Sequence, residues 1–83
     1  MATAYILINS NLGTEESVAE KIKEIADVKE VFETKGAYDI VAKLEAESNR
    51  ALRNTITKKI RMMQNIRSIL TLADTKNFGK IYN

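Results

Sequence analysis

Glu33-Thr34-Lys35-Gly36-Ala37-Tyr38-Asp39-Ile40-Val41 lies between two runs that read as strands, and its reading decides the fold. Before it, Val28 to Thr34 is strand-like, with Val31 and Phe32 apolar on opposite faces. After it, Tyr38 to Glu45 alternates. Tyr38, Ile40, Ala42 and Leu44 share one face, and Asp39, Val41, Lys43 and Glu45 share the other. Lys35-Gly36 between the two runs reads as a tight hairpin connection, with Gly36 supplying the positive φ that such turns use. Two readings of the turn follow. In one it forms part of a small-molecule site. In the other Gly36 only turns the chain, Tyr38 is core and Asp39 is a solvated strand residue.

Working outward toward the N-terminus, Ala4-Tyr5-Ile6-Leu7-Ile8-Asn9 reads as a strand apolar on both faces: Tyr5 and Leu7 on one, Ile6 and Ile8 on the other. Such a strand is covered on both sides. The domain's own helices cover one face, and a second chain is expected on the other. Asn11-Leu12-Gly13-Thr14 is a turn leading to a helix, with Thr14 as its expected cap and Glu15 and Glu16 at the positive end of the dipole. The helix is expected to run to about Ala26. Val18, Ile22 and Ile25, flanked by Ala19 and Ala26, form its apolar stripe.

Toward the C-terminus, Ser48 is the expected cap of a second helix, whose buried stripe is Leu52, Ile56, Ile60 and Met63. Arg50, Arg53, Lys58, Lys59 and Arg61 give that helix a basic outer surface, with no interleaved aromatic to stack on bases. Ile66 to Ala73 reads as the last strand. Ile66, Ser68, Leu70 and Leu72 lie on one face, and Arg67, Ile69, Thr71 and Ala73 on the other. The order strand, helix, strand, strand, helix, strand predicts an α+β, ferredoxin-like βαββαβ fold. Its four-stranded antiparallel sheet carries both helices on one face. Residues 1–75 are expected to form the domain, and residues 76–83 a C-terminal tail or extra strand. The apolar second face predicts a homodimer closed through the sheets, as in a dimeric α/β barrel.

Composition narrows the chemistry. Eighty-three residues allow one small core. The chain has no Cys and no His. That argues against disulfides, thiolate nucleophiles, most structural zinc and the commonest general base near neutral pH. No cofactor is expected. A net charge of +2 with interspersed signs gives no electrostatic case for direct DNA binding. No apolar run reaches a membrane span, and the N-terminus lacks a basic signal-peptide region, so a cytoplasmic location is expected.

The ordered set of elements resembles the ligand-binding (RAM) domain of Lrp/AsnC transcriptional regulators. The resemblance rests on Ala4-Tyr5-Ile6-Leu7-Ile8, the glycine of Asn11-Leu12-Gly13, and the Val28-Lys29-Glu30-Val31 strand entry. It continues through the Gly36-Ala37-Tyr38-Asp39 hairpin, the helix with Leu52, and Ile66-Arg67-Ser68-Ile69-Leu70-Thr71. It implies dimers assembled into octamers or decamers, with an amino acid effector between dimers. It also implies co-assembly with full-length Lrp/AsnC regulators. Those regulators carry a helix-turn-helix domain, whereas here the first strand starts within a few residues of Met1, so a stand-alone module is expected.

The resemblance implies a ligand site of Thr34, Gly36, Ala37, Tyr38, Asp39 and Thr71. Gly36 and Ala37 would offer backbone N–H groups to a carboxylate, and Asp39 would face an ammonium. Tyr38 would pack in the fold with its hydroxyl as a polar handle, and Thr71 would add a hydroxyl. Lys35 and Ile69 depart from the small hydroxyl and polar residues common at those places. The leading expectation is a non-enzymatic amino-acid sensor and oligomerisation module. The alternatives are a structural adaptor with a decayed site, motivated by those two departures, and a small dimeric α/β-barrel enzyme.

Overall fold

The computed structural model describes residues 1–74, with secondary structure in the order β1 (Ala2–Ser10), α1 (Glu15–Lys23), β2 (Val28–Glu33), β3 (Ile40–Ala46), α2 (Asn49–Thr55), a π-helical continuation (Ile56–Ile60) and β4 (Ile66–Asp74). The expected tail over residues 76–83 lies outside the described residues. The strands make one antiparallel sheet in the spatial order β2-β3-β1-β4. This is the ferredoxin-like plan read from the element order.

β1 occupies the interior of the sheet because it is apolar on both faces. It pairs with β3 through Ile6↔Ala42, Leu7↔Val41 and Ile8↔Ile40, and with β4 through Ile6↔Thr71, Leu7↔Leu70 and Ile8↔Ile69. Opposed residues share a face, so this register settles which alternating set points inward. Ala4, Ile6 and Ile8 join Ile40, Ala42 and Leu44 beneath the helices. Val18, Ala19 and Ile22 of α1 and Leu52, Ile56 and Ile60 of the second helix complete the core. Tyr5 and Leu7 face the other way, beside Val41, Leu70 and Leu72, with Phe32 on the neighbouring β2. On that open face Phe32 is 54% exposed and Leu70 42%.

Several local features differ from the sequence reading. The Thr14 hydroxyl does not cap α1; it turns back and donates to Asn11 O at 2.6 Å. Helix α1 ends at Lys23, where i→i+3 bonds from Glu24 N and Ile25 N tighten the chain, and Ala26 is exposed. Ser48 does cap α2, accepting from Ala51 N at 3.1 Å. Leu52, Ile56 and Ile60 recur every four residues, and at 3.6 residues per turn such a run drifts around the helix. The wider π turn, closed by Arg61 N donating to Ile56 O at 2.9 Å, absorbs the extra residue and keeps all three buried. The β1–β4 register shifts between Asn9 and Ser10, which brings Ile66 opposite Ser10. Ile66 therefore packs on the core beside Ile69 rather than sharing a face with Ser68 and Leu70.

The turn glycines exchange roles. Gly13 has φ +84°, whereas Gly36 does not adopt a positive φ and has open space where a Cβ would stand. The expected tight Lys35-Gly36 turn is instead a six-residue connection between Glu33 and Ile40, long enough to turn without a left-handed residue. Gly13→Ala is thus expected to lose about 1 kcal/mol from left-handed strain. Gly36→Ala is expected to stay within about 0.5 kcal/mol of the parent. Urea unfolding of the two variants side by side checks this. Equal losses would contradict the assignment.

Candidate functional site

The β2–β3 connection is ordered by its own polar groups. Thr34 N donates to Asp39 O at 2.8 Å and closes the loop. The Thr34 hydroxyl donates to Tyr38 O and accepts a long 3.4 Å bond from Gly36 N. That hydroxyl is spent on the shape of the loop. Thr34, Lys35, Gly36 and Ala37 are exposed, and Tyr38 and Asp39 are half-buried. Gly36 N–H is therefore already weakly engaged, and Ala37 N–H is the less encumbered donor at the tip.

Asp39 anchors the loop to the end of β1. Its N–H donates to Ile8 O at 3.0 Å and to Asn9 Oδ1 at 3.1 Å, and its Oδ2 accepts from Ser10 N at 3.0 Å. One carboxylate oxygen is fixed by a backbone amide. Among the described residues no donor reaches the other, so the group can accept from a ligand cation without leaving its place. Asn9 and Ser10 were absent from the sequence reading of the site. The signal available was their polarity at the end of an otherwise apolar strand. Ser10 is 2% exposed, and its Oγ has no hydrogen-bond partner among the described residues. That orphan hydroxyl belongs to the residue whose backbone amide holds Asp39.

The structure thus gathers Thr34, Gly36, Ala37, Tyr38 and Asp39 at one end of the sheet. Thr71 is not with them. It pairs with Ile6, on the helix side of β4. There it lines a groove of about 380 Å³ between β4 and the second helix. Ala4, Leu52 and Ile56 supply the apolar walls of this groove, and Asn49, Arg53, Thr57 and Arg61 share its rim with Thr71. Within one copy the hairpin and Thr71 do not meet.

A protein-family model described as the Lrp/AsnC ligand binding domain matches residues 3–78. The chain belongs to that family. A hypothetical protein from Pyrococcus horikoshii of known structure is 36% identical, with a TM-score of 0.87 and 90% of each chain covered. AsnC of E. coli is 27% identical with a TM-score of 0.84; the match covers 92% of this chain and 52% of that one. Among curated proteins, the homocitrate synthase of Sulfolobus acidocaldarius is 39% identical over 71 residues. That match takes in 86% of this chain but only 15% of the synthase's length. Lrp/AsnC ligand-binding domains are regulatory, effector-type modules, and this chain carries their fold. Among its described residues no helix is long and apolar enough to cross a membrane, and no group of His, Cys, Asp and Glu is placed to hold a metal ion.

Proposed function

We propose that this Lrp/AsnC domain is a non-enzymatic amino-acid sensor whose ligand sits at a contact between copies. The observation that carries this reading is the Asp39 carboxylate, held by Ser10 N at 3.0 Å beside an exposed loop. A charged acceptor fixed in advance pairs with an ammonium without first being ordered. Ala37 N–H, and Gly36 N–H once released from its long bond to Thr34 Oγ1, suit the ligand carboxylate. Because Thr71 lies away from the loop in the same copy, a ligand touching both takes Thr71 from a neighbouring copy. The effector then acts by binding one assembly more tightly than another. The partly apolar open face of the sheet supports dimerisation as the first step of that assembly.

A second reading concerns the object of control. A transcriptional regulatory protein of Pyrococcus furiosus is a member of the AsnC family, yet a segment similar to this chain also forms part of a homocitrate synthase. The module would then report amino acid levels to a biosynthetic enzyme rather than to a DNA-binding regulator. Pull-down from a native extract under matched amino acid conditions separates the two by the class of protein retained.

Thermal unfolding in each of the twenty amino acids tests the sensor reading. An effector at about 100 times its dissociation constant adds about 2.7 kcal/mol of stability. In a domain of this size that raises the melting temperature by roughly 10 °C or more. Asp39→Asn keeps an acceptor for Ser10 N but loses the charge, so it should retain the fold and lose the response. No shift in any amino acid would overturn the reading and leave a structural adaptor in its place.

A further inference from the structure

The groove between β4 and the second helix lies away from the hairpin of the same copy and differs from it in charge; Thr71 is the lining residue that the proposed amino acid site shares with it. Its lining includes two guanidinium groups, Arg53 and Arg61, and no acidic residue. Both arginines are exposed, and among the described residues neither side chain makes an ion pair or hydrogen bond. Ala4, Leu52 and Ile56 line the same groove; Leu52 and Ile56 are 3% and 6% exposed, so they form its floor where the core reaches the surface.

The π turn bears directly on this arrangement. Arg53 and Arg61 are eight residues apart, and in an uninterrupted α-helix that spacing overshoots two full turns, carrying the second residue around the surface. Here Arg61 N bonds to Ile56 O, five residues back, and both arginines line the same groove. Insertions of this kind are uncommon and recur at functional sites. At about 1.5 Å rise per residue the backbones of Arg53 and Arg61 lie roughly 12 Å apart along the helix axis, and two long cationic side chains lining one groove can together meet an anion charged at both ends. Guanidinium groups bind carboxylates with two parallel hydrogen bonds, and Thr57 and Thr71 add hydroxyls at the rim.

We propose that this groove binds a small dicarboxylate, one carboxylate on Arg53 and the other on Arg61, with its methylene chain over Leu52 and Ile56. The ligand is anionic at both ends, whereas the hairpin selects a zwitterion through an acidic group. Although Thr71 is common to both, the two sites are separable by ligand charge and by substitution of the arginines.

Isothermal titration with succinate, glutarate and adipate tests the proposal, with hexanoate and sulfate as comparisons. At least one dicarboxylate is expected to bind about tenfold more tightly than hexanoate or sulfate, a difference of about 1.4 kcal/mol. Arg53→Gln and Arg61→Gln should each remove that preference, and Lys58→Gln, which removes an exposed cation of the same helix outside the groove, should leave it unchanged. Equal binding of sulfate and dicarboxylate, or binding that survives both arginine substitutions, would overturn the proposal. So would the absence of heat with every dicarboxylate. A change in assembly mass in the arginine variants with no dicarboxylate binding to the parent would instead assign the groove to a protein contact.

Discussion

Leu44→Ala is expected to lower the unfolding free energy by about 2 to 5 kcal/mol. Leu44 is 0% exposed, lies opposite Ala4 on β1 and Val28 on β2, and belongs to the same core as Leu52. Truncation removes buried methyl groups and leaves a cavity that β3, hydrogen-bonded on both sides, cannot collapse around. Domains of this size hold only about 5 to 15 kcal/mol in total, so the loss is a large share of stability. Leu12→Ala is the control. Leu12 is 96% exposed, and its change should stay within about 0.5 kcal/mol. Urea melts at one fixed protein concentration compare the two, since assembly itself adds to apparent stability. A similar small loss in both variants would contradict the position of the core.

Leu7→Asp is expected to reduce the protein to single copies while leaving each copy folded. Leu7 lies at the centre of the open face, opposite Val41 on one side and Leu70 on the other. In one copy it is only half-buried, so a carboxylate there remains hydrated. Face-to-face packing would bury that charge without a partner, at a cost of several kcal/mol. A twofold contact would also set two such charges near each other. The substitution therefore acts on association rather than on the chain's own fold. Light scattering reads the mass, and far-ultraviolet circular dichroism reads the fold. An unchanged multimer would show that copies meet elsewhere.

The contrast between these two positions explains what was legible in the sequence. Alternation along β3 and the helical stripes identified the elements, because burial imposes those periods directly, but β3 begins at Ile40 and leaves Tyr38 and Asp39, read as strand, in the preceding connection. The choice between Tyr5/Leu7 and Ile6/Ile8 as the inward set was not legible. Both pairs are apolar, and only the pairing of Ile6 with Ala42 and Thr71 resolves it. Thr14 has the chemistry of a cap, but the turn at Gly13 gives its hydroxyl a nearer acceptor in Asn11 O. The π turn leaves only a faint trace, the four-residue spacing of Leu52, Ile56 and Ile60. The register shift that turns Ile66 inward leaves none in the chain's alternation.

The candidate site divides in the same way. The loop itself was legible because Gly36, Ala37, Tyr38 and Asp39 are contiguous, and it was the resemblance that marked it as a candidate ligand site. The support for Asp39 was not, since Asn9 and Ser10 reach it across 30 and 29 residues of sequence. Strand pairing brings those groups together, and no local pattern records it. Gly36 shows the limit of residue identity alone. A glycine in a turn suggests positive φ, yet among the described residues the positive φ values belong to Gly13 and to Asn65, whose carbonyl accepts from Asn11 N at 2.8 Å.

Native mass spectrometry of the wild-type chain in the presence of amino acids reads assembly and bound ligand together, and so decides whether the domain is an amino-acid sensor. The account predicts a multimer that carries one chemical class of amino acid, with the bound ligand lost in Asp39→Asn. A single copy that retains no amino acid under any condition would contradict it.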